Sequence, residues 1–494
     1  MTSFQTRFRM LLALYAAVAA WVWLGVFVEA GGRHLPLFAA HLVGVLIASG
    51  CLWRCGIGAS RFNAVDHWSV PESLQSKCLW ALLMIAMAIV GAHLHSLGGS
   101  PLLRVLSSDD YLENARIRQE VTSHSSAFYA YGSAMLIKAV LPFLVVYGAA
   151  TRRAWLCAAA MLLGLVYGVS LLQKSYVWFV LTPYILYLIA QRRYIRSAFI
   201  AALAVGSTAY LVIVTNSLSF NIPPWLMDWI SLRGLLMLIV IDAAIFGFRR
   251  SGISPIFGIQ QYPTGAMTIV MIAAILVVRA PYLEGSPSDI LVELMNPSPD
   301  AGHTYSGIRK QPRHADKREA ERIGGTTWRA WPVVAAMGDR IFLVPGRVVS
   351  QWFDAFPSTF SYEMGCGYRF VARLRSCQFI NNTVRMYELT NPDLVNQGIV
   401  GTLNAAHFAE DYANFGILGV VLAGMLAVTV LGVVAGLLAE VGLPLFIVLN
   451  APFVLTLSSS ALHTAILSGG WLLMVLLAML FRQAPKTNVI EVNE

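Results

Sequence analysis

Long apolar stretches, separated by short polar breaks, run along most of this chain. A helix needs roughly 20 apolar residues to cross the hydrocarbon core of a bilayer. By that measure the pattern predicts about twelve spans, at 10–28, 35–53, 78–97, 128–149, 154–172, 175–191, 197–215, 234–248, 266–283, 413–437, 442–460 and 463–481. The predicted fold class is an all-α polytopic integral membrane protein.

A long polar insertion interrupts this pattern after the ninth span. It divides the chain into a nine-helix membrane region at 1–283, a mostly helical insertion at 284–412, and three membrane helices with a tail at 413–494. A channel or transporter needs no polar excursion of this size. An enzyme working at the membrane surface needs one, because it must hold a polar substrate and exclude water around it.

The composition supports a membrane protein. Of the 494 residues, 57% are hydrophobic and only 12% are charged, against about 25% charged residues in soluble domains. The first apolar run is long enough to span, and the residues Glu29-Ala30-Gly31-Gly32 after it make a poor cleavage site. We therefore expect a permanent first helix instead of a cleaved signal peptide.

Basic residues orient the predicted spans. They precede the first span and follow most even-numbered spans, as Arg7 and Arg9; Arg54, Arg61 and Lys77; Arg152 and Arg153; Arg192, Arg193 and Arg196; Arg249 and Arg250; and Arg482 and Lys486. Such clusters mark the cytoplasmic side of a membrane. Both termini are then cytoplasmic, and the insertion lies on the opposite face. This topology accounts for most of the net charge of +9, so no nucleic-acid partner is expected.

Two cysteines lie in the insertion, Cys366 and Cys377. An oxidising compartment permits a disulfide between them, although two loop cysteines can also remain free. Neither the spacing nor the neighbouring residues match a zinc site, and we predict no metal ion or other cofactor.

Arginines and aromatic residues alternate in the second part of the insertion. The arginines include Arg340, Arg347, Arg369, Arg373 and Arg385. Aromatic faces stack on sugar rings, and guanidinium groups bind phosphate oxygens in pairs. The pattern indicates an anionic, sugar-bearing ligand. The alternative is an amphipathic domain whose aromatics form its core and whose arginines are ion-paired.

The end of the insertion carries His407, Glu410, Asp411 and Asn414 at helical spacing. These residues lie near one another on one side of a helix end, just before the tenth span. Such a group can take a proton from a hydroxyl or bind a diphosphate. The alternative is that the group caps the helix in interfacial water.

Three stretches resemble the Wzy-type polymerases of O-antigen and exopolysaccharide repeat units. They are Leu106-Ser107-Ser108-Asp109-Asp110-Tyr111 with Arg116, Leu171-Leu172-Gln173-Lys174-Ser175, and Glu410-Asp411-Tyr412-Ala413-Asn414-Phe415-Gly416-Ile417-Leu418-Gly419. The third stretch is the most specific. The many spans and the single late outer loop with arginines are also similar to that family.

The resemblance implies an inverting glycosyltransferase of the GT-C class in the bacterial inner membrane, with the large loop periplasmic. It would join repeat units carried on undecaprenyl diphosphate, with one lipid-linked chain as donor and one lipid-linked unit as acceptor. A co-polymerase that sets chain length is a further expected partner.

Candidate residues for these roles follow from the motifs. We expect Glu410, His407 or Asp411 to act as the catalytic base. The candidates for diphosphate and sugar contacts are Arg340, Arg347, Arg369, Arg373, Arg385, Lys174, Arg116 and Tyr412.

The sequence leaves three other functions open. O-antigen ligases share the fold and have a late outer loop with a functional His, which His407 fits, but Phe408 stands where a ligase-like His-Asn pair would place Asn. A flippase or other transporter would also have about 12 spans, yet no two-fold repeat of spans is evident. The third possibility is another membrane glycosyltransferase that uses an acidic motif in its first outer loop, where this chain offers Glu29 alone.

Overall fold

A computed structural model describes residues 3–55, 70–106, 111–123, 126–215 and 343–482. These residues belong to one compact unit of the chain, formed by 1–216 and 337–494. The predicted spans at 234–248 and 266–283, the first part of the insertion and Arg340 lie outside the described residues. Every regular element within the described ranges is a helix.

The helices are numbered here along the chain. They are α1 (Ser3–Ala30), α2 (Leu35–Cys55), α3 (Glu72–Ser96), α4 (Pro101–Leu106), α5 (Tyr111–Ser123), α6 (Ala127–Met135), α7 (Leu141–Ala150), α8 (Ala154–Ser170), α9 (Lys174–Ala190), α10 (Tyr194–Thr215), α11 (Val344–Ala355), α12 (Arg369–Leu374), α13 (Asn382–Thr390), α14 (Pro392–Asn396), α15 (His407–Leu437), α16 (Leu443–Thr456), α17 (Leu462–Ile466) and α18 (Trp471–Leu480). A π-helical turn, Leu136–Val140, joins α6 to α7.

Seven helical segments in the described ranges are long and apolar enough to cross a membrane. They are Phe4–Ala30, Leu35–Arg54, Ser73–Ser96, Tyr131–Ala150, Tyr194–Leu211, His407–Leu437 and Leu462–Leu480. Three shorter apolar helices, α8, α9 and α16, occupy the other predicted spans in this part of the chain. The chain is thus a polytopic α-helical membrane protein, while the total of about twelve spans stays a prediction.

Small residues bring the central helices into close contact. A Cβ atom added at Gly44 of α2 would lie 2.1 Å from the carbonyl oxygen of Val421 in α15. One added at Gly424 of α15 would lie 2.7 Å from the carbonyl oxygen of His41 in α2. Glycines at such crossings let two backbones approach closely, which is how membrane helices gain packing energy.

The insertion contributes directly to this core. A Cβ atom at Gly346 of α11 would lie 2.4 Å from the Cα atom of Gly25 in α1, so α11 packs tightly on α1. Trp352 and Phe356 at the other end of α11 are buried with Trp23 of α1 and Phe408 of α15. The core therefore joins α1, α2, α11 and α15 and supports the start of α15 from one side.

Candidate functional site

Helix α15 is interrupted at Gly416. The backbone there has φ +60° and ψ −143°, a conformation that only glycine adopts without strain. A continuous helix would use the carbonyl groups of Ala413 and Asn414 for its own hydrogen bonds. Here they accept bonds from the backbone N–H groups of Glu363 and Met364, at 3.0 and 2.8 Å. The kink therefore lets the insertion dock on α15 through its backbone.

Asn414 holds the next part of the insertion in place. Its side-chain oxygen accepts a hydrogen bond from the Gly367 N–H at 3.0 Å, and its amide donates to the Glu410 carbonyl at 2.9 Å. A Cβ atom at Gly367 would lie 2.7 Å from the Asn414 side chain. Only glycine fits this close approach without displacing Asn414, which is completely buried.

Tyr368 follows Gly367 and lies at the centre of the site. Its hydroxyl donates a hydrogen bond to a carboxylate oxygen of Asp411. Its ring packs edge-on against His463 at 5.2 Å and stacks on Phe415 at 6.3 Å between centroids. Burial raises the pKa of the Tyr368 phenol, and the charge of Asp411 raises it further. The phenol therefore keeps its proton and remains a donor to the carboxylate.

Two adjacent carboxylates, Glu410 and Asp411, lie partly buried in the first two turns of α15. Asp411 is oriented by the Tyr368 hydroxyl, whereas the Glu410 backbone carbonyl is fixed by Asn414. A carboxylate held in this way can accept a proton from a substrate hydroxyl that enters the site. The two carboxylates lie together at the helix end, as the helical spacing predicted, and their role as a base stays a prediction.

His407 lies deeper than the two carboxylates. Its side chain is 1% exposed, and its Nε2 atom lies 2.8 Å from the Tyr15 hydroxyl. Its backbone N–H donates to the Leu457 carbonyl at 3.0 Å. Neither ring nitrogen faces solvent, so His407 belongs to the core beneath the carboxylates.

A disulfide braces the loop that carries Tyr368. Cys366 and Cys377 are joined with an S–S distance of 2.07 Å, and the bridge encloses α12. The Ile380 N–H also donates to the Cys366 carbonyl at 3.0 Å. We call residues 366–377 the disulfide loop.

The disulfide loop exposes two of the predicted arginines, Arg369 and Arg373. The Arg369 guanidinium lies 5.0 Å from the centroid of the Phe379 ring. Because both follow Tyr368 within five residues, they bring positive charge to the same loop as the Asp411 contact.

Other predicted arginines are engaged with protein groups. The Nε atom of Arg347 lies 3.4 Å from a carboxylate oxygen of Glu29, at the end of α1. Arg385 forms an ion pair with the buried Glu363 and lies 4.3 Å from the centroid of the Phe360 ring. For Arg347 and Arg385, therefore, the ion-paired alternative describes the contacts in the structure.

Tyr412 and both aromatic residues of α11 are also part of the core. The Tyr412 hydroxyl donates to the Phe356 carbonyl at 3.1 Å and accepts from Tyr362 at 3.2 Å. Trp352 and Phe353 are at most 4% exposed. These aromatics support the site from below, while Phe370 of the disulfide loop is 73% exposed.

Arg116 and Lys174 lie on other helices. Arg116 is exposed on α5, and that helix is tied to the end of the insertion by a 3.4 Å hydrogen bond from Val400 N–H to Gln119. Lys174 is the first residue of α9 and is partly buried. The cluster that the structure brings together consists of Tyr368, Glu410, Asp411, Asn414 and His463.

Of these residues, Tyr368 and His463 were missed as site residues by sequence reasoning. They lie on separate elements, and no spacing in the chain links them to Asp411. In the described part of the chain, no group of three or more His, Cys, Asp or Glu side chains is arranged to hold a metal ion.

Comparison with known proteins gives no family assignment: no family model, curated protein or solved structure matches this chain.

Proposed function

We propose that this protein is an inverting glycosyltransferase that joins oligosaccharide repeat units carried on undecaprenyl diphosphate. The observation that carries the proposal is the contact between Tyr368 and Asp411. It couples an oriented carboxylate at the start of an apolar membrane helix to a loop with exposed arginines. A lipid-linked sugar substrate needs all three features: an apolar helix for the lipid tail, arginines for the anionic diphosphate, and a carboxylate for the sugar hydroxyl.

The chemistry is a single displacement at the anomeric carbon of the donor sugar. The acceptor hydroxyl attacks that carbon, the bond to the lipid diphosphate breaks, and the hydroxyl proton passes to a carboxylate. Asp411 or Glu410 takes the proton, because both lie at the partly buried start of α15. The configuration at the anomeric carbon inverts in this one step.

The leaving lipid diphosphate gains negative charge as the bond breaks. Arg369 and Arg373 are placed to stabilise it, since both are exposed on the disulfide loop. Arg116, Lys174 and Arg340 are further candidates for contacts with the diphosphate or the sugars. Arg347, Arg385 and Tyr412 act mainly by holding the site in shape, because their polar groups already contact Glu29, Glu363 and Phe356.

The reaction takes place on the periplasmic face of the bacterial inner membrane in this proposal. The distribution of basic residues supports that orientation. The disulfide between Cys366 and Cys377 fits the same side, because disulfides persist in oxidising compartments. A separate co-polymerase would set the length of the product.

A ligase that transfers finished polymer to the lipid A core is the nearest alternative. In a ligase, His407 would be the functional residue of the late loop. The Nε2 atom of His407 lies 2.8 Å from the Tyr15 hydroxyl and is engaged by it, which favours the polymerase. A lipid-linked oligosaccharide flippase is the alternative from another class.

Deletion of the gene in its host separates these activities. Loss of the polymerase leaves lipid A core capped with one repeat unit, loss of a ligase leaves no capped core, and loss of a flippase leaves the units on the cytoplasmic face. Complementation with a variant that combines Asp411→Asn and Glu410→Gln should leave the single-unit phenotype, with the protein present in the membrane. Asp393→Asn, an exposed acidic residue of α14, is the matched control and should restore the polymer. An unchanged polymer ladder in the deletion strain rules the proposal out.

A further inference from the structure

Four buried side chains, Trp23, His41, Tyr15 and His407, form a hydrogen-bonded chain that connects α1, α2 and the start of α15. The Trp23 Nε1–H donates to His41 Nδ1 at 3.1 Å. The Tyr15 hydroxyl lies 2.8 Å from His41 Nε2 and 2.8 Å from His407 Nε2. His41 and His407 are 3% and 1% exposed, and Tyr15 and Trp23 are each 1% exposed.

Trp23 sets the direction of this chain, because an indole N–H can only donate. His41 must therefore accept at Nδ1, which leaves its single proton on Nε2. That proton points to the oxygen of Tyr15. The Tyr15 hydroxyl proton is then available for His407 Nε2, which accepts it.

The opposite arrangement at His407 leaves more polar groups unsatisfied. If His407 carried its proton on Nε2, the Tyr15 oxygen would accept two hydrogen bonds, one from each histidine. The Tyr15 hydroxyl proton would then have no acceptor among these four side chains. The Nδ1 lone pair of His407 would also be unused. A doubly protonated His407 would in addition be a buried charge with no carboxylate hydrogen-bonded to its ring among the described residues, which is costly. With Trp23 as the first donor, the four side chains leave a single polar group among them without a partner, the Nδ1–H of His407.

We infer that His407 is held as the neutral Nδ1–H tautomer and that this N–H is a binding position for one oxygen atom. Its Nδ1 atom is buried and has no hydrogen-bond partner among the described residues, and buried donors are normally satisfied by protein, water or ligand. The acceptor is a water molecule or an oxygen of a bound hydroxyl or diphosphate group.

This inference changes the role of His407. Its Nε2 lone pair is used by Tyr15, and its Nδ1 carries a proton, so the residue acts as a donor and leaves the role of base to the carboxylates. It lies four residues before Asp411, on the same side of α15. The tautomer is independent of the proposed function, whereas a diphosphate or hydroxyl acceptor rests on it.

Solid-state NMR of the full chain with ¹⁵N-labelled histidine in lipid bilayers tests the tautomer. His407→Gln identifies the His407 signals by subtraction. We expect a protonated Nδ1 and an unprotonated Nε2 in the parent protein. Tyr15→Phe removes the donor to Nε2 and keeps the ring, so both His407 tautomers should appear. A His407 that is protonated on Nε2, alone or with Nδ1, overturns the inference.

Two tryptophan variants test the direction of the chain. Trp23→Phe should release His41 and mix the tautomers of both histidines. Trp21→Phe is the matched control on the same helix, because the Trp21 Nε1 atom has no hydrogen-bond partner in the described part of the chain. Identical His407 spectra from Trp23→Phe and the parent protein contradict the role of Trp23.

The source of the acceptor oxygen is measured on the same sample. Magnetisation transfer from water to the Nδ1–H identifies a water acceptor. A shift of that signal with farnesyl diphosphate, and none with farnesol, identifies a phosphate oxygen and also supports the proposed function. The absence of both effects contradicts the oxygen-binding position.

Discussion

The phenol of Tyr368 donates its hydrogen bond to the carboxylate of Asp411, 43 residues later in the chain. This contact fixes the disulfide loop on the first turns of α15. It also makes the orientation of a candidate catalytic carboxylate depend on a residue of the insertion.

Tyr368→Phe should lower activity by about tenfold or more, because a loss of about 1.4 kcal/mol in positioning corresponds to that factor. Folding stability should fall by roughly 1.5–3 kcal/mol, as for other hydrogen bonds to charged groups. Polymer yield in membranes and thermal unfolding of the purified protein measure the two effects. Tyr362→Phe is the matched control, since its hydroxyl contacts Tyr412 instead of a carboxylate. Equal activity of the two variants would contradict the proposal that Tyr368 positions Asp411.

Arg373→Gln should reduce polymer yield without lowering the amount of folded protein. Arg373 is exposed on α12, and exposed substitutions usually change stability by no more than about 0.5 kcal/mol. Arg33→Gln is the control, because Arg33 is exposed and lies 3.6 Å from Asp354 in a surface ion pair. A normal yield from Arg373→Gln together with Arg369→Gln would remove both arginines from the diphosphate site.

Arg385→Gln should destabilise the protein by roughly 1–3 kcal/mol. The change leaves the buried carboxylate of Glu363 without its partner, although the 36% exposure of the Arg385 side chain limits the cost. The double variant Glu363→Gln with Arg385→Gln should recover most of the stability. Thermal unfolding measures this. Full recovery of activity in the double variant indicates a structural role, whereas recovery of stability alone indicates that Arg385 also contacts substrate.

Gly416→Ala should destabilise the start of α15 by roughly 1–3 kcal/mol, the usual range for a residue forced into such a backbone conformation. The added Cβ would also lie 3.1 Å from the Tyr362 ring. Gly50→Ala in α2 is the control, since a Cβ there meets nothing within 4 Å and its φ is not in the left-handed range. Equal thermal stability of the two variants would argue against the kink.

Reduction of the disulfide should lower the free energy of unfolding by about 2–3 kcal/mol, because a short closed loop lowers the conformational entropy of the unfolded chain by about that amount. Dithiothreitol should therefore shift thermal unfolding of the parent protein. A variant with serine at both Cys366 and Cys377 should start at the lower value and not respond. A response of that variant equal to the parent's would assign the effect to another thiol.

The membrane helices were predictable because the thickness of a bilayer imposes one length scale on the sequence. The predicted span at 35–53 corresponds to the observed Leu35–Arg54, for example. The grouping of Glu410, Asp411 and Asn414 was predictable for a similar reason, since helical spacing is local. These residues do share the first turns of α15.

The contacts that shape the site depend on the tertiary structure. Nothing in the sequence distinguishes Gly416, which kinks α15, from Gly419 three residues later. Tyr15 and His41 occur singly in separate apolar spans, and only the packing of α1, α2 and α15 brings them to His407. The role of an arginine depends on its ion-pair partner. The partner of Arg385 is Glu363, which is 22 residues away in the sequence, so local spacing does not predict the pair.

Elongation of a purified lipid-linked repeat unit in proteoliposomes tests the central claim most directly. The parent protein should convert undecaprenyl-diphosphate-linked units into chains of two or more units, separated by size on a gel. Asp411→Asn combined with Glu410→Gln should abolish the ladder while the protein remains folded in the membrane, and Asp393→Asn should preserve it. No elongation by the folded parent protein, or a normal ladder from the double variant, would contradict the account.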